Sequence, residues 1–516
     1  MKNKSKQSLG LCILLLLYIG PAPCVEQIPV YTVADSTGDW GFPSPYGHYS
    51  RGPGYIRMSL IFDTLVWKDQ NDYVPALAES WNMVGSGAFV FNLRKNVTWN
   101  DGIKFTANDV VFTVNYIKKH PYQWVNSEPL RNAEAVDDYT VKIYLNHSYA
   151  PFLEMIAGTL PILPEHIYKD VSDPAKFTDA KALTGTGPYK LVNYDKAQGT
   201  YLYEAYDGYY LGKPVVNQIK FIKVSNEMAA ASLKKGDVDA ASVQPETIDD
   251  LKNGGYKVIT GSPHDGITKI MINHKKEPFS NVRFRQALYY AIDRQALVKT
   301  ALRGYGVAAS PGLFPPDSEW FNSSLDRYAY DPSKTETLLK EMGYSKDGQY
   351  FAKDDKTLEM EMLVTSTSER VGEMIRQQLA NAGFKVTLRS VESKTLDSLV
   401  GDWKFDLALN SHGGMCGDPE ILNRIIGEGY MFNSDRYTAD QKLNDLLNRE
   451  VSEMNPEKRK DLVDQVETLY AYDLPALPLY YSDSYWAFDG NLELYYTKRG
   501  VANGIPIAMN KLSFVG

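Results

Sequence analysis

The chain has 516 residues, of which 44% are hydrophobic and 23% are charged, and its formal net charge at pH 7 is −8. A single hydrophobic core stops growing at about 250–300 residues, so two or three domains are expected. The chain is acidic and has no basic block, which argues against nucleic acid and anionic lipid as partners, because both are bound by clustered lysines and arginines.

The first 24 residues have the pattern of a secretory signal peptide. Three lysines precede an apolar run from Leu9 to Ile19, which is shorter than the about 20 apolar residues that a membrane-spanning helix needs. The triplet Ala22-Pro23-Cys24 fits a small-x-small cleavage site. Cys24 is alternatively the lipidated cysteine of a lipoprotein, although Pro23 suits that motif poorly.

Residues 25–58 are rich in glycine, proline and tyrosine and predict an irregular loop. Loops held on a rigid scaffold often carry binding residues. An arginine in this loop is suited to hold a carboxylate through two parallel hydrogen bonds. The candidate ligand-binding residues here are Tyr46, His48, Tyr49, Arg51 and Tyr55.

Residues 59–260 contain both strand-like and helix-like patterns. Phe89, Phe91 and Leu93 alternate as in a half-buried strand, and Thr106 followed by Asp109 predicts a capping box at a helix start. Later strands and helices follow each other in turn, which predicts βαβ units and a largely parallel sheet. Those predicted elements are strand Ile219–Val224, helix Asn226–Lys235, strand Val238–Ala241, helix Pro245–Asn253 and strand Tyr256–Thr260.

Residues 270–298 predict a strand followed by two helices. Ile270 and Ile272 share one face of the strand, and Asn281 and Asp293 are suited to cap the two helices. The first helix has an apolar face made of Phe284, Ala287, Leu288, Ala291 and Ile292. Farther on, helices are predicted from Pro332 and from Ser368, strands at Phe384–Val391 and Phe405–Asn410, and helices at Thr438–Met454 and Pro456–Tyr472.

The glycine-rich segment SHGGMCGD, residues 411–418, follows a predicted strand and precedes a predicted helix. Ligands of open α/β sheets bind just beyond the carboxyl ends of strands, and glycines let backbone amides approach a ligand. The candidate binding residues are His412, Gly413, Gly414, Met415 and Cys416. Asp418 is interpreted as a helix cap, and Cys416 is more typical of a small packed side chain than of a ligand contact. Cys416 is the only cysteine after residue 24, so no internal disulfide is predicted.

The segment PFSNVRFRQALYYAIDR, residues 278–294, resembles the signature of the extracellular solute-binding proteins of ABC importers, family 5, which take peptides or nickel complexes. Other blocks resemble the same family in the same order and extend the resemblance over nearly the whole chain after residue 24. They include LAESW at 77–81, WNDG at 99–102, GTGPYK at 185–190 and LPALPLYY at 474–481.

The resemblance implies an α/β fold of the periplasmic-binding-protein-like type II, with two lobes joined by a two-crossing hinge and an extra α+β subdomain on the first lobe. The implied divisions are a signal peptide at 1–24, lobe I at 25–62, 186–268 and 482–516, a peripheral subdomain at 63–185, and lobe II at 269–481. The two crossings are expected near Ile270–Asn273 and Leu477–Tyr481.

The resemblance also implies a function. The chain is expected to capture a short peptide or similar ligand and to deliver it to ABC permease and ATPase subunits in the membrane. It is expected to work as a monomer without a cofactor, in the periplasm or on the outer face of the cell membrane, with lipid anchoring at Cys24 as the alternative to cleavage.

Comparison of the 411–418 loop with the two branches of the family does not decide which ligand the chain binds. Peptide-binding relatives usually carry an aspartate at the position of Met415, which anchors the free amine of the peptide. Nickel-type relatives place aromatic residues where this chain has Gly413 and Gly417. The loop matches neither branch, so a metal-chelate ligand stays as an alternative, with His48 and His412 as candidate metal contacts across the cleft.

No catalytic constellation is found in the sequence. The zinc motif His-Glu-x-x-His, the Walker loop and the Gly-x-Ser-x-Gly elbow are missing, and Ser232 and Lys235 fit a Ser-x-x-Lys spacing without its companion motifs. The chain is therefore not expected to be an enzyme. A secreted hydrolase and a receptor module for a signalling partner are the rival interpretations from other classes.

Overall fold

The computed structural model of the chain describes residues 27–261, 264–427 and 441–515. The predicted signal peptide and the alternatives for Cys24 lie outside the described residues, and so does the start of the helix predicted at Thr438–Met454. Among the helices of the described residues, none has the length and apolar character that crossing a membrane requires.

The first half of the chain forms twelve named strands and five α-helices. They are β1 (Ile28–Asp35), α1 (Gly52–Ser59), β2 (Val66–Lys68), β3 (Tyr73–Pro75), β4 (Ala78–Val84), β5 (Ala88–Leu93), α2 (Ala107–Lys119), β6 (Leu130–Asp137), β7 (Thr140–Leu145), α3 (Glu165–Tyr168), β8 (Tyr189–Asp195), β9 (Thr200–Ala205), β10 (Val216–Lys223), α4 (Ala229–Lys235), β11 (Ala240–Ser242), α5 (Ile248–Asn253) and β12 (Lys257–Thr260).

The second half continues with the remaining elements. They are β13 (Ile267–Ile272), α6 (Val282–Tyr290), α7 (Arg294–Ala301), β14 (Gly306–Ala308), α8 (Pro332–Glu341), β15 (Ser345–Asp347), β16 (Tyr350–Lys353), β17 (Lys356–Thr357), β18 (Glu359–Val364), α9 (Glu369–Asn381), β19 (Lys385–Ser390), α10 (Ser393–Gly401), β20 (Leu407–His412), α11 (Ile421–Ile426), α12 (Gln441–Ser452), α13 (Pro456–Asp473), β21 (Ala476–Ser482) and β22 (Tyr485–Phe488).

Lobe I is built on a seven-stranded sheet of order β12-β22-β11-β1-β10-β9-β8. Only the pairs β1·β10 and β1·β11 are parallel, and the other four pairs are antiparallel. The prediction of a largely parallel sheet is therefore wrong for this lobe. The reason is that the hairpin β8–β9 and the returning strand β22 add antiparallel neighbours to a small βαβ centre.

Lobe II is built on a six-stranded sheet of order β14-β21-β13-β20-β18-β19. It is also mixed, because β18 runs parallel to β19 and β20 while β13 runs antiparallel to β20 and β21. All six residues of β13 are buried, since apolar clusters cover both faces of the sheet: Ile270 and Ile272 pack on one side and Met271 on the other. The predicted helix caps are confirmed, because the side chains of Asn281 and Asp293 accept backbone amide hydrogen bonds at the starts of α6 and α7.

A peripheral unit has its own antiparallel sheet of order β4-β5-β7-β6 and a core of aromatic and aliphatic side chains. Helix α2 packs on it through Val110, Val114 and Ile117. The capping box predicted for this helix is confirmed, because the Thr106 amide donates to Asp109 Oδ2 at 2.9 Å.

The chain passes between the two large sheets twice. It leaves the first sheet after β12, which ends at Thr260, and enters the second at β13, which begins at Ile267, and it returns from β21 to β22 through residues 483 and 484. The two crossings lie side by side, because β13 pairs with β21 and the Gly261 amide donates to the Ser484 carbonyl at 3.0 Å. The predicted crossing segments Ile270–Asn273 and Leu477–Tyr481 are off by several residues, since both lie mostly in strands of lobe II. Two adjacent short crossings are the geometry of a hinge.

Candidate ligand-binding site between the lobes

The glycine-rich loop that follows β20 folds around a carboxylate of the first crossing, Asp265. Asp265 Oδ1 accepts hydrogen bonds from the Gly414 amide at 2.7 Å, from the Cys416 amide at 3.4 Å and from the Cys416 thiol at 3.3 Å. The sequence predicted that these amides face a ligand. In the structure they bind a side chain of the chain itself.

Asp265 is only 9% exposed. Burial raises the pKa of its carboxyl to about 6, against the lowering effect of the hydrogen bonds from Cys416 and Gly414. Sequence reasoning missed Asp265, because the carboxylate and the loop that it organises are 149 to 151 residues apart in the chain. Its only signal in the sequence is a polar residue two positions before a buried strand.

The same loop touches lobe I. The Cys416 thiol lies 3.5 Å from the Gly504 carbonyl oxygen, and a Cβ built on Gly417 would lie 3.1 Å from Gly504 Cα. Met415 is fully buried in an apolar cluster of lobe II, and Cys416 is buried as a small packed side chain. The structure therefore brings the predicted loop to the boundary between the lobes. Of the five candidate binding residues in this loop, Gly413 is the most exposed to solvent.

Asp418 ends the loop in a charged cluster. Its carboxylate accepts two hydrogen bonds from Arg459, at 2.7 and 2.6 Å, and Arg459 also contacts Glu450 at 2.9 Å. Asp418 further accepts the Glu420 amide at 2.9 Å just before α11. Asp418 therefore has two roles: it accepts an amide at the start of α11, as predicted, and it forms a bidentate ion pair that fixes the loop to α13.

Most predicted residues of the N-terminal loop lie inside lobe I and its junction with the peripheral unit. The Tyr46 hydroxyl donates to the His120 carbonyl at 2.7 Å, and the fully buried Tyr55 donates to the Thr159 carbonyl at 2.8 Å. Tyr49 is 44% exposed and donates to Asp39 at 2.9 Å, and Arg51 is exposed at the start of α1. The structure therefore does not bring these five residues together as one wall.

The two candidate metal contacts, His48 and His412, lie in different surroundings. His48 is buried against Tyr122 and Trp124, and burial lowers its pKa to about 4. Burial and the charge of Lys269 lower the pKa of His412 to about 3. Both rings are therefore neutral at pH 7. In the described part of the chain, no group of three histidine, cysteine, aspartate or glutamate side chains is arranged to hold a metal ion.

Lobe I and the peripheral unit contribute a polar wall that the sequence did not indicate. Lys68 is buried and donates to both carboxylate oxygens of Glu154, at 2.6 and 2.7 Å, and the Tyr73 hydroxyl donates to Glu154 at 2.8 Å. Burial raises the pKa of Glu154, and the charge of Asp418 raises it further.

Other contacts join the two sides. Arg499 donates to Glu319 of lobe II at 3.1 Å and to Asp72 of the peripheral unit at 3.2 Å. The Ala150 amide donates to the Val451 carbonyl at 2.7 Å. The structure is therefore that of a closed arrangement, in which the glycine-rich loop of lobe II meets the opposite wall.

Comparison with known proteins supports the same architecture. Residues 72–428 match the sequence profile described as "Bacterial extracellular solute-binding proteins, family 5 Middle". The chain is 29% identical to the dipeptide-binding protein of Escherichia coli (strain K12) over 374 residues, which are 68% of this chain and 69% of that protein. It is 28% identical to heme-binding protein A of Haemophilus influenzae over 523 residues, 93% of this chain and 94% of that protein.

Solved structures are similar over nearly the full length. NikZ from Campylobacter jejuni, in complex with Ni(L-His), superposes with a TM-score of 0.78 at 25% identity, covering 93% of this chain and 97% of that one. DppA from Helicobacter pylori, in complex with the peptide STSA, superposes with a TM-score of 0.77 at 21% identity, covering 93% and 98%.

Proposed function

Because this chain belongs to family 5 of the bacterial extracellular solute-binding proteins, we propose that it captures a short peptide, or a similar small solute, between its two lobes. As a member of that family it is an exported binding component of an ABC importer and not an enzyme, which implies permease and ATPase partners. The observation that carries the proposal is the meeting of the glycine-rich loop of lobe II with the 499–504 segment of lobe I, beside two adjacent crossings.

The proposed mechanism is closure about the two crossings. Each lobe has its own sheet and its own apolar core, so each moves as a rigid body. Gly261, residues 264–266 and residues 483–484 absorb the rotation. A solute that contacts both lobes binds the closed form more tightly than the open form and shifts the population toward it. The permease then distinguishes closed from open.

The first experiment is mass spectrometry of whatever co-purifies with the protein, followed by a thermal-shift screen of short peptides. A bound solute is expected to raise the melting temperature. Solution scattering checks the mechanism, because closure reduces the radius of gyration. A solute that binds tightly and leaves the scattering profile unchanged contradicts hinge closure.

A metal chelate is the second candidate ligand. The similarity to NikZ, whose structure holds Ni(L-His), favours it, and a chelate that brings its own ligands needs no preformed group of three protein ligands. Calorimetry of the nickel–histidine complex with the wild type and with His412→Ala tests the contact. Equal affinities remove His412 from the site, and no binding to either protein removes this class of ligand.

We further propose that the protein acts as a monomer and that its amino terminus is processed at residues 22–24. The small-x-small triplet supports cleavage, and Cys24 supports lipid attachment. The intact mass of the protein isolated from its own cells separates the two, because a lipidated chain retains Cys24 and carries acyl chains. Light scattering at several concentrations checks the monomer.

A further inference from the structure

We propose that His264 is a proton-dependent clasp at the hinge: its protonated ring holds a carboxylate of each lobe in the closed form, so that closure weakens as the ring loses its proton. This inference rests on the proposed function, because it adds a regulatory device to the closure that captures the solute. It does not depend on which solute the importer takes.

The ring of His264, in the first crossing, lies between two aspartates. Nδ1 faces Asp317 at 3.0 Å, and Nε2 faces Asp483 of the second crossing at 2.7 Å. The His264 backbone amide also donates to the two oxygens of Asp317, at 3.2 and 3.1 Å. Because only the protonated imidazole has an N–H group on both nitrogens, the ring donates to both carboxylates only when it is charged.

The side chain of Asp483 is held from lobe I. Its Oδ1 atom faces His264, and its Oδ2 atom accepts a hydrogen bond from the Tyr485 hydroxyl at 2.8 Å. Tyr485 is the first residue of β22, where it pairs with Thr260 of β12 in the sheet of lobe I. This carboxylate is therefore expected to follow lobe I when the lobes rotate.

Asp317 is held from lobe II. It lies in the segment 309–331, between β14 and α8. Glu467 of α13 fastens this segment on both sides of Asp317, because its carboxylate accepts the Phe314 amide at 3.1 Å and the Asn322 amide at 2.9 Å. This second carboxylate is therefore expected to follow lobe II.

The clasp thus depends on the positions of the two lobes. Rotation about the crossings moves Asp317 relative to Asp483, and one imidazole ring spans both carboxylates only where they lie on opposite sides of it. The closed arrangement satisfies this condition. Opening separates the two carboxylates, and the ring loses at least one of them.

Other titratable groups lie near the ring. The ring centroid of Tyr481 lies 6.5 Å from that of His264, and Tyr485 touches the ring's partner in the second crossing. Burial raises the pKa of both tyrosines, so they keep their protons up to pH 8.5. The neighbouring Asp265 carboxyl faces the glycine-rich loop and has its pKa raised to about 6 by burial, so it is mostly ionised above pH 6.5. A window from pH 6.5 to 8.5 therefore reports mainly on His264.

The direction of the effect follows from linkage. In the closed form the hydrogen bond to Asp317 raises the pKa of His264, whereas loss of an aspartate on opening brings the pKa back toward the ordinary value of about 6.5. The closed form therefore binds the proton more tightly. Its advantage is complete below the open-form pKa and is lost as pH rises through the closed-form pKa.

Solution scattering of the dialysed, solute-free protein between pH 6.5 and 8.5 tests the clasp. The profiles are fitted as mixtures of a closed and an open form. The ratio of closed to open protein in the wild type is expected to fall by about 3- to 10-fold across this window, since each unit of difference between two pKa values corresponds to at most about tenfold.

Two variants locate the effect. His264→Gln keeps a polar side chain that takes up no proton, and Asp317→Asn keeps an acceptor for the His264 amide but removes the charge from lobe II. Both are expected to lose most of the pH dependence. His166→Gln is the matched control, because His166 pairs with Asp101 at 2.8 Å inside the peripheral unit, and it is expected to behave as the wild type. Circular dichroism at each pH confirms that the variants are folded.

The outcomes separate this inference from the proposed function. A wild-type ratio that does not change with pH, or a fall that persists in His264→Gln, overturns the clasp. A mixture of tripeptides added at pH 6.5 tests capture independently, because bound peptide is expected to reduce the radius of gyration of the wild type whether or not the clasp exists. Retention of peptide without a change in that radius overturns hinge closure and the clasp together.

Discussion

At the scale of single residues, several charged side chains of this protein are buried and form ion pairs with each other. Lys511 and Asp63 form an ion pair in which both side chains are at most 1% exposed. Burial lowers the pKa of Lys511, and the charge of Asp63 raises it. Asp63 also accepts a hydrogen bond from Thr186 at 3.2 Å. The pair therefore fastens the 511–514 turn to the start of the peripheral unit.

Removal of one partner of this pair is expected to be costly. Asp63→Asn leaves the Lys511 ammonium buried without its counter-charge, and we expect a loss of about 3–5 kcal/mol in the free energy of unfolding, measured by urea denaturation. Asp402→Asn is the control, because its ion pair with Lys404 is exposed and such pairs contribute little. A similar small change in both variants would contradict the stabilising role of the buried pair.

His264 makes stability depend on pH near neutrality. Its ring nitrogens face Asp317 at 3.0 Å and Asp483 at 2.7 Å, and the hydrogen bond to Asp317 raises the pKa of His264 above its ordinary value. The stabilisation is complete below the unfolded-state pKa of about 6.5 and is lost as pH rises through the higher folded-state pKa. Urea midpoints between pH 5.5 and 8.5 are expected to fall in the wild type and to change less in His264→Gln. Parallel pH profiles would exclude this group as the cause.

At the scale of the elements, the segment GTGPYK shows what a sequence pattern conveys and what it does not. The pattern predicts a glycine–proline turn into a strand, and β8 begins at Tyr189 as expected. The structure adds that Gly185 and Gly187 lie against the backbone of Ile61, with the Gly187 amide donating to the Ile61 carbonyl at 2.8 Å. The glycines are needed for this close approach of two backbones.

Substitution of Gly185 by alanine is therefore expected to disturb the junction of lobe I and the peripheral unit. The new Cβ would lie 2.0 Å from the Ile61 carbonyl oxygen, and the backbone must move, which costs about 1–3 kcal/mol or more. Gly87→Ala is the control, since a Cβ there has no heavy atom within 4 Å. The melting temperature should fall clearly in the first variant and stay nearly constant in the second.

The elements also show how far sequence reasoning reaches. Local signals were sufficient for the caps at Thr106, Asn281 and Asp293, because each cap bonds within its own first turn. Strand direction and the exact crossings were missed, because they depend on pairing between distant segments such as β11 and β22. The glycine-rich loop was predicted at the end of its strand, but its main partner, Asp265, lies too far away in the chain for any local pattern.

At the scale of the whole molecule, exposed ion pairs are among the contacts that join the two sides in the closed arrangement. Arg499 bridges Glu319 and Asp72, which are 52% and 57% exposed, and exposed ion pairs contribute at most about 1 kcal/mol each. Weak bridges of this kind let the lobes open without a large barrier. A solute needs to add only a few kcal/mol of contacts to make closure dominant.

Loss of the Arg499 bridge is expected to shift the solute-free protein toward the open form. A change of about 1 kcal/mol alters the ratio of closed to open about fivefold, so Arg499→Met should increase the radius of gyration in solution scattering. Arg283→Met is the control, because Arg283 pairs with Glu341 within lobe II. The same radius in both variants would show that this bridge does not hold the lobes together.

Strand β22 lies between β11 and β12 and pairs with both, whereas the strands of lobe II are contiguous in the chain from residue 267 to 482. Since the ribosome makes the amino-terminal part first, the lobe I sheet stays split until residues 485–488 emerge. The sheet of lobe I can therefore be completed only after nearly the whole chain, including all the strands of lobe II, has been made.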